Sequence, residues 1–97
     1  MIGTTIALED GAPVFTPAQM GEALGLDPDA LRVELRAGRV HGVVERGEGE
    51  DAGRTRATLR WRSLEVVVVL DETGRVLAFE RRGDWRVRGF APSPPGR

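Results

Sequence analysis

The sequence predicts an α+β fold: a short N-terminal hairpin, two short helices, then an antiparallel β-meander of about four to five strands with the helix pair packed on it. Three observations carry this expectation. Helix start and stop signals cluster between Thr16 and Gly38. From Val40 onward, strand-like runs are separated by turn-forming residues. Within that second half, Val66-Val67-Val68-Val69-Leu70 is apolar on both faces, as suits a central strand covered on each side, with the helix pair on one.

Thr4 to Glu9 alternates as a strand, with Ile6 and Leu8 on one face, and Asp10-Gly11 is a strong turn signal. Val14 and Phe15 are expected to form a short return, weakened by Pro13. Thr16 is placed to cap a helix over 17–24, because Pro17 suits its first position and Gln19 completes a capping box. Met20 and Leu24 stack at i,i+4, and Gly25 ends that helix. Asp27-Pro28 opens a second helix over 28–37, with Leu31 and Leu35 on one face and Gly38 as its stop. The meander is then read as Val40–Arg46, Arg54–Arg62, Leu64–Leu70, Arg75–Arg82 and Trp85–Phe90. Asp71-Glu72-Thr73-Gly74 and Gly83-Asp84 are its clearest turns. Residues 1–90 are expected to form one domain and 91–97, with three prolines, an extended tail.

Composition narrows the classes of function. The formal charge is −1, so no global field favours nucleic acid or an acidic membrane. All fourteen basic residues are arginine, whose planar fork fixes carboxylates and phosphates in defined geometry. Cysteine is absent, which excludes disulfides, thiolate metal sites and a cysteine nucleophile. No signal peptide is visible at Met1–Ile6 and the longest apolar run is too short to span a bilayer, so a cytoplasmic protein without a membrane role is the default expectation. The single histidine, His41, reads as a packed or edge residue of a strand, and no hydrolytic triad can be assembled around it. No enzyme activity and no cofactor are therefore expected.

The most informative stretch is Glu45-Arg46-Gly47-Glu48-Gly49-Glu50-Asp51-Ala52-Gly53, an acidic, glycine-spaced loop, followed by Arg54-Thr55-Arg56-Ala57-Thr58-Leu59-Arg60-Trp61-Arg62. With period two, Arg54, Arg56, Thr58, Arg60 and Arg62 share one strand face, while Ala57, Leu59 and Trp61 share the other. A half-buried antiparallel strand with an outward guanidinium ladder follows. A second basic group comprises Arg81, Arg82, Arg86 and Arg88, interleaved with Trp85 and Phe90.

Several readings compete for these residues. Arginines beside aromatics on an open sheet suit single-stranded nucleic acid or another anion. Against this, the same arginines have Glu45, Glu65 and Glu80 as prospective cross-strand partners. The helix pair has the outline of a helix-turn-helix, but Asp27 and Asp29 would face the phosphates. Glu48-Gly49-Glu50-Asp51 suggests a divalent-metal or small-ligand carrier, yet lacks calcium-loop spacing. Pro92 to Pro95 matches only a minimal P-x-x-P pattern.

Leu24-Gly25-Leu26-Asp27-Pro28, Leu31, Leu35-Arg36-Ala37-Gly38, and the run from Val44 through Arg56 with the following strand resemble a family of short bacterial proteins catalogued as a domain of unknown function. Glu45 to Arg56 is the most specific part. The resemblance implies a hairpin, a helix pair and a meander, carries no activity, cofactor or catalytic residue, and leaves Trp85–Arg97 outside the family core.

The expectation is a small non-enzymatic interaction or regulatory protein. Glu48, Glu50, Asp51, Arg54, Arg56, Arg60 and Arg62 are the candidate partner-binding residues, set out as opposed charge on one hairpin. Homodimerisation is a separate expectation, since an open meander exposes strand edges and a small core gains from further burial.

Overall fold

The computed structural model describes residues 1–83. The expected strand at Trp85–Phe90, with Arg86 and Arg88, and the tail at 91–97 lie outside the described residues. The elements run β1 (Ala7–Glu9), β2 (Ala12–Val14), α1 (Pro17–Leu24), α2 (Pro28–Arg36), β3 (Val40–Arg46), β4 (Thr55–Trp61), β5 (Leu64–Leu70) and β6 (Val76–Arg82). A single 3-10 turn, Gly49–Asp51, lies in the β3–β4 loop. β1 and β2 form an antiparallel ribbon, and the other four strands form an antiparallel sheet in the order β3-β4-β5-β6. The predicted α+β layout is thus the observed one. No helix among the described residues is long and apolar enough to cross a membrane.

The N-terminal hairpin differs in detail from the expectation. Asp10 and Gly11 both have positive φ, 55° and 81°, matching the twist of a tight hairpin turn. β2 includes Pro13, opposite Leu8, whereas Val14 and Phe15 were expected to carry the return. Both strands of a two-stranded ribbon are edges, so the missing N–H of proline breaks no obligatory ladder. The first half of the expected Thr4–Glu9 strand pairs elsewhere. Ile6 N–H donates to Gly74 O (2.8 Å), Val76 N–H donates to Thr4 O (2.8 Å), and Thr5 bridges Arg75. The chain start is thereby tied to the β5–β6 turn and Ile6 is carried fully into the core.

Both helices start as their caps dictate. Thr16 and Gln19 form a reciprocal capping box with Pro17 in the first turn, and Gly25 closes α1 in the left-handed conformation. The Asp27 carboxylate accepts from Ala30 N–H (2.8 Å) at the head of α2. Leu24 and Leu31 join Ile6, Leu59, Val66, Val68, Leu70 and Val76 in one buried cluster between the helices and the inner face of the sheet. The expected partner of Leu31 was wrong. Leu35 is 45% exposed, and the residue that buries beside Leu31 is Glu34, at 7%. The covered stripe of α2 thus runs i,i+3, and the carboxylate is accepted there because polar groups meet it.

Arg81, on the inner face opposite Val66, also ties helix to sheet. Its guanidinium donates to Ala23 O (3.0 Å) and Glu22 O (2.7 Å) near the C-terminal end of α1. Those carbonyls are among the helix's unpaired acceptors, and a cation suits that end of the dipole.

Candidate functional site: the open face of the sheet

The alternation of β4 sorts its residues as the sequence indicates. Thr55, Ala57 and Leu59 are buried, while Arg56 and Arg60 are exposed. Register then fixes what stands beside each arginine. One row across the four strands is His41, Arg60, Glu65 and Arg82; the next is Val43, Thr58, Val67 and Glu80; the third is Glu45, Arg56, Val69 and Ala78. No helix covers these rows among the described residues, so the strand expected to be covered on both sides is sealed on one. Val66 and Val68 are buried beneath the helices, and Val67 and Val69 are half-buried on the open face.

The ladder is salt-bridged. Arg56 meets Glu45 at 2.7 Å, Arg60 meets Glu65 at 2.9 Å, and Arg82 lies 3.3 Å from Glu65 and 3.2 Å from Glu80. The Glu80 and Glu65 carboxylates hold the Arg82 guanidinium above the usual arginine range. Among the described residues three arginines and three glutamates occupy the face, which is charge-balanced there and has valines at its centre. An anion approaching Arg56 or Arg60 must displace an intramolecular carboxylate, and no uniform positive stripe draws phosphates.

The remaining candidate residues divide between two places. Arg54 precedes β4 and lies 3.6 Å from Asp51, at the base of the acidic loop. That loop folds tightly on itself, for a Cβ on Gly47 would sit 2.0 Å from Asp51 O. Glu48 and Glu50 project from it, exposed. Glu45, Arg46, Asp51, Arg54, Arg56 and Val69 border an open depression of about 470 Å³ at this end of the sheet. Among the described residues no group of three or more acidic, histidine or cysteine side chains is placed to hold a metal ion.

Arg62 does not belong to the ladder. It turns with φ 56° at the β4–β5 connection, stacks on Trp61 with its guanidinium 5.3 Å from the ring centre, and approaches Glu34 at 3.9 Å. The left-handed turn breaks the period-two alternation at this position, sending the side chain to the helix side.

A small polar cluster forms there that alternation alone does not reveal. Glu34 accepts from the Trp61 indole N–H (2.7 Å) and from Arg39 Nε (3.1 Å). The indole hydrogen bond, with Arg39 in support, holds its carboxyl below the ordinary glutamate range against the opposing effect of burial. The available sequence signal was Trp61 itself, since an inward-facing indole needs an acceptor. The described members of the second basic group are likewise engaged, Arg81 by α1 and Arg82 by glutamates.

A family model matches residues 3–87, spanning the hairpin, both helices and all the described strands of the sheet. The chain belongs to DUF6522, a family of unknown function. The DUF6522 match reaches Val87 and thus takes in the start of the Trp85–Arg97 segment that the resemblance had set outside the core. No curated protein and no solved structure matches the chain.

Proposed function

We propose that this chain is a non-catalytic interaction module whose working surface is the open face of the four-stranded sheet, with the acidic β3–β4 loop at one end. One observation carries the reading: the face pairs a valine centre with interleaved, balanced charge on rigid strands. Exposed ion pairs contribute only about 0–1 kcal/mol each. Arg56 and Glu45 are both exposed, so Arg56 can exchange Glu45 for a partner's carboxylate at little cost; Arg60 presents its exposed guanidinium beside the partly buried Glu65, while Val43 and Val67 supply apolar contact. A protein surface of mixed charge fits this pattern; the neutral balance of the face weighs against single-stranded nucleic acid.

The test joins partner identification to charge reversal. Proteins cross-linked to the chain in its host would be purified and titrated against wild type and the Arg56→Glu/Arg60→Glu variant. Weakening of about tenfold or more, with the fold retained, is expected for charges that orient docking. Equal affinity of the folded variant for every such partner would refute the reading. Salt-sensitive binding of short DNA or RNA by wild type would favour the nucleic-acid alternative instead.

A further inference from the structure

Among the described residues β3 is the outermost strand of the sheet, and no strand pairs with its outer edge. Native edges are blunted by shortness, proline, charged side chains (lysine above all), bulges or a covering element, and on β3 the acidic and arginine residues are confined to its last two positions, Glu45 and Arg46. β3 has seven residues, no proline or lysine, and seven unbroken pairs with β4. Among the described residues the opposite edge is β6, whose register with β5 is irregular at Val69/Leu70. Val43 and Val44, on opposite faces of β3, are 56% and 46% exposed.

The backbone direction fixes which groups line the free edge. Gly47 N–H donates to Arg54 O (2.8 Å), so the odd-numbered residues of β3 direct their N–H and C=O toward β4. Val40, Gly42, Val44 and Arg46 direct theirs outward. An antiparallel copy related by a two-fold axis must align residues on the same face, which leaves registers centred on Gly42, Val43 or Val44. Centring on Val43 sets Val43 against the partner's Val43, His41 against the partner's Glu45, and Val44 against the partner's Gly42. Apolar then meets apolar, a carboxylate meets imidazole, and each exposed Val44 lies beside a position without a side chain. Centring on Val44 would oppose Val43 to Glu45, and centring on Gly42 would oppose Val43 to His41. On the open face the Val43 register extends the row Val67, Thr58, Val43 without a break into the second copy.

We propose that a second copy of this chain pairs along β3 in the Val43-centred register, forming a continuous eight-stranded antiparallel sheet. This proposal uses the backbone edge of β3, whereas the partner-binding face is tested through Arg56 and Arg60 on β4; Val43 contributes to both, and the failure of one assignment leaves the other's test intact.

The full chain would be examined by sedimentation equilibrium, then re-examined after substitution on β3. Wild type is expected at about twice its 10.5 kDa mass. Val44→Pro removes an outward N–H and no β4 bond, a placement edge strands tolerate, and should weaken dimerisation about tenfold or more. Val44→Lys installs a natural edge guard and provides a second variant should proline disturb folding. Because the chain has no cysteine, Val43→Cys gives one thiol per chain. Val43 and its symmetry mate would form a non-hydrogen-bonded pair with Cα atoms about 4.5 Å apart, within disulfide reach, so mild oxidation should cross-link V43C dimers. V44C thiols, offset by two residues and about 8 Å apart, should resist cross-linking. A monomer up to millimolar concentration, dimers retained by folded V44K, or V44C cross-linking in preference to V43C would each overturn the proposal. Arg56→Glu/Arg60→Glu should keep the dimer, which separates failure of this edge from failure of the face.

Discussion

Gly74→Ala is expected to be among the most damaging small substitutions, because two separate costs coincide there. Gly74 has φ 90°, and a Cβ at this position would sit 2.1 Å from Ile6 O and 3.4 Å from Leu8 Cγ. Left-handed backbone at a residue with a side chain costs about 1–2 kcal/mol. The contact with Ile6 O is to backbone, so no rotamer change relieves it, and the 4–6 segment must retreat by about 1 Å to reach ordinary van der Waals separation. That retreat weakens the Ile6 N–H bond to Gly74 O and the Val76 N–H bond to Thr4 O, each contributing about 0.5–1.5 kcal/mol. It also loosens the fully buried Ile6, whose complete burial would be worth about 1.5–3 kcal/mol. The total is about 3–5 kcal/mol, a large share of the roughly 5–15 kcal/mol available to a chain of this size. Gly38→Ala supplies the control, since Gly38 has φ 71° but nothing within 4 Å of its built Cβ. It should cost only the backbone strain, about 1–2 kcal/mol. Urea unfolding followed by tryptophan fluorescence separates the two, with a midpoint gap of roughly 2 M expected at a slope near 1 kcal/mol/M. If Gly74→Ala falls within about 0.5 kcal/mol of Gly38→Ala, docking of the chain start on the β5–β6 turn contributes nothing and the reasoning fails.

Other substitutions test the remaining joints. Thr16→Ala removes the side-chain half of the capping box and should cost about 1 kcal/mol in thermal unfolding. Arg81→Lys should destabilise by about 1–2 kcal/mol, because one ammonium cannot reproduce the paired donation to Glu22 O and Ala23 O; recovery of wild-type stability by lysine would show that charge alone matters. Glu34→Gln should be less stable than wild type at neutral pH, with a gap that narrows in acid. The folded-state pKa of Glu34 lies below its unfolded value, so its stabilisation is complete above the unfolded pKa and is lost as pH falls through the folded one. A gap unchanged between neutral pH and pH about 3 would show that the carboxylate charge plays no part.

The elements legible in the sequence were those with local chemical causes. Thr16, Pro17, Gln19 and Asp27-Pro28 place the helix starts, and the Arg56–Arg60 alternation places a half-buried strand, because each depends on residues within a turn of one another. Most of the misreadings have the opposite origin. Leu35 looked like core because i,i+4 spacing matched Leu31, yet a long-range contact with Trp61, joined by nearby Arg39, placed Glu34 inward. Arg62 looked like the end of the ladder because nothing in Trp61-Arg62-Ser63-Leu64 announces a left-handed residue. Thr4–Ile6 read as the start of a hairpin strand because its partner, the β5–β6 turn, lies about seventy residues away. Whether the ladder was free or paired also depended on register, which alternation leaves open until strand order is known.

Register is what gives the charged face its meaning. Had β5 been displaced by two residues, Glu65 would no longer stand beside Arg60, and that guanidinium would lose its carboxylate while Arg56 kept Glu45. In the observed register Arg56, Arg60 and Arg82 each meet a glutamate, and among the described residues the face is neutral in sum and sharply patterned in detail. Under the proposed function, such a surface offers weak long-range attraction and would select partners at short range by matching alternation of sign. The same alternation resists misregistered docking, since a shift by one strand sets arginine against arginine and glutamate against glutamate. A patterned face flanked by an edge unpaired among the described residues is also a surface that a symmetric pair would double, giving two copies of the pattern in fixed relation. Avidity toward a repeated or dimeric partner then follows without any new contact, provided the partner's spacing matches that of the two faces.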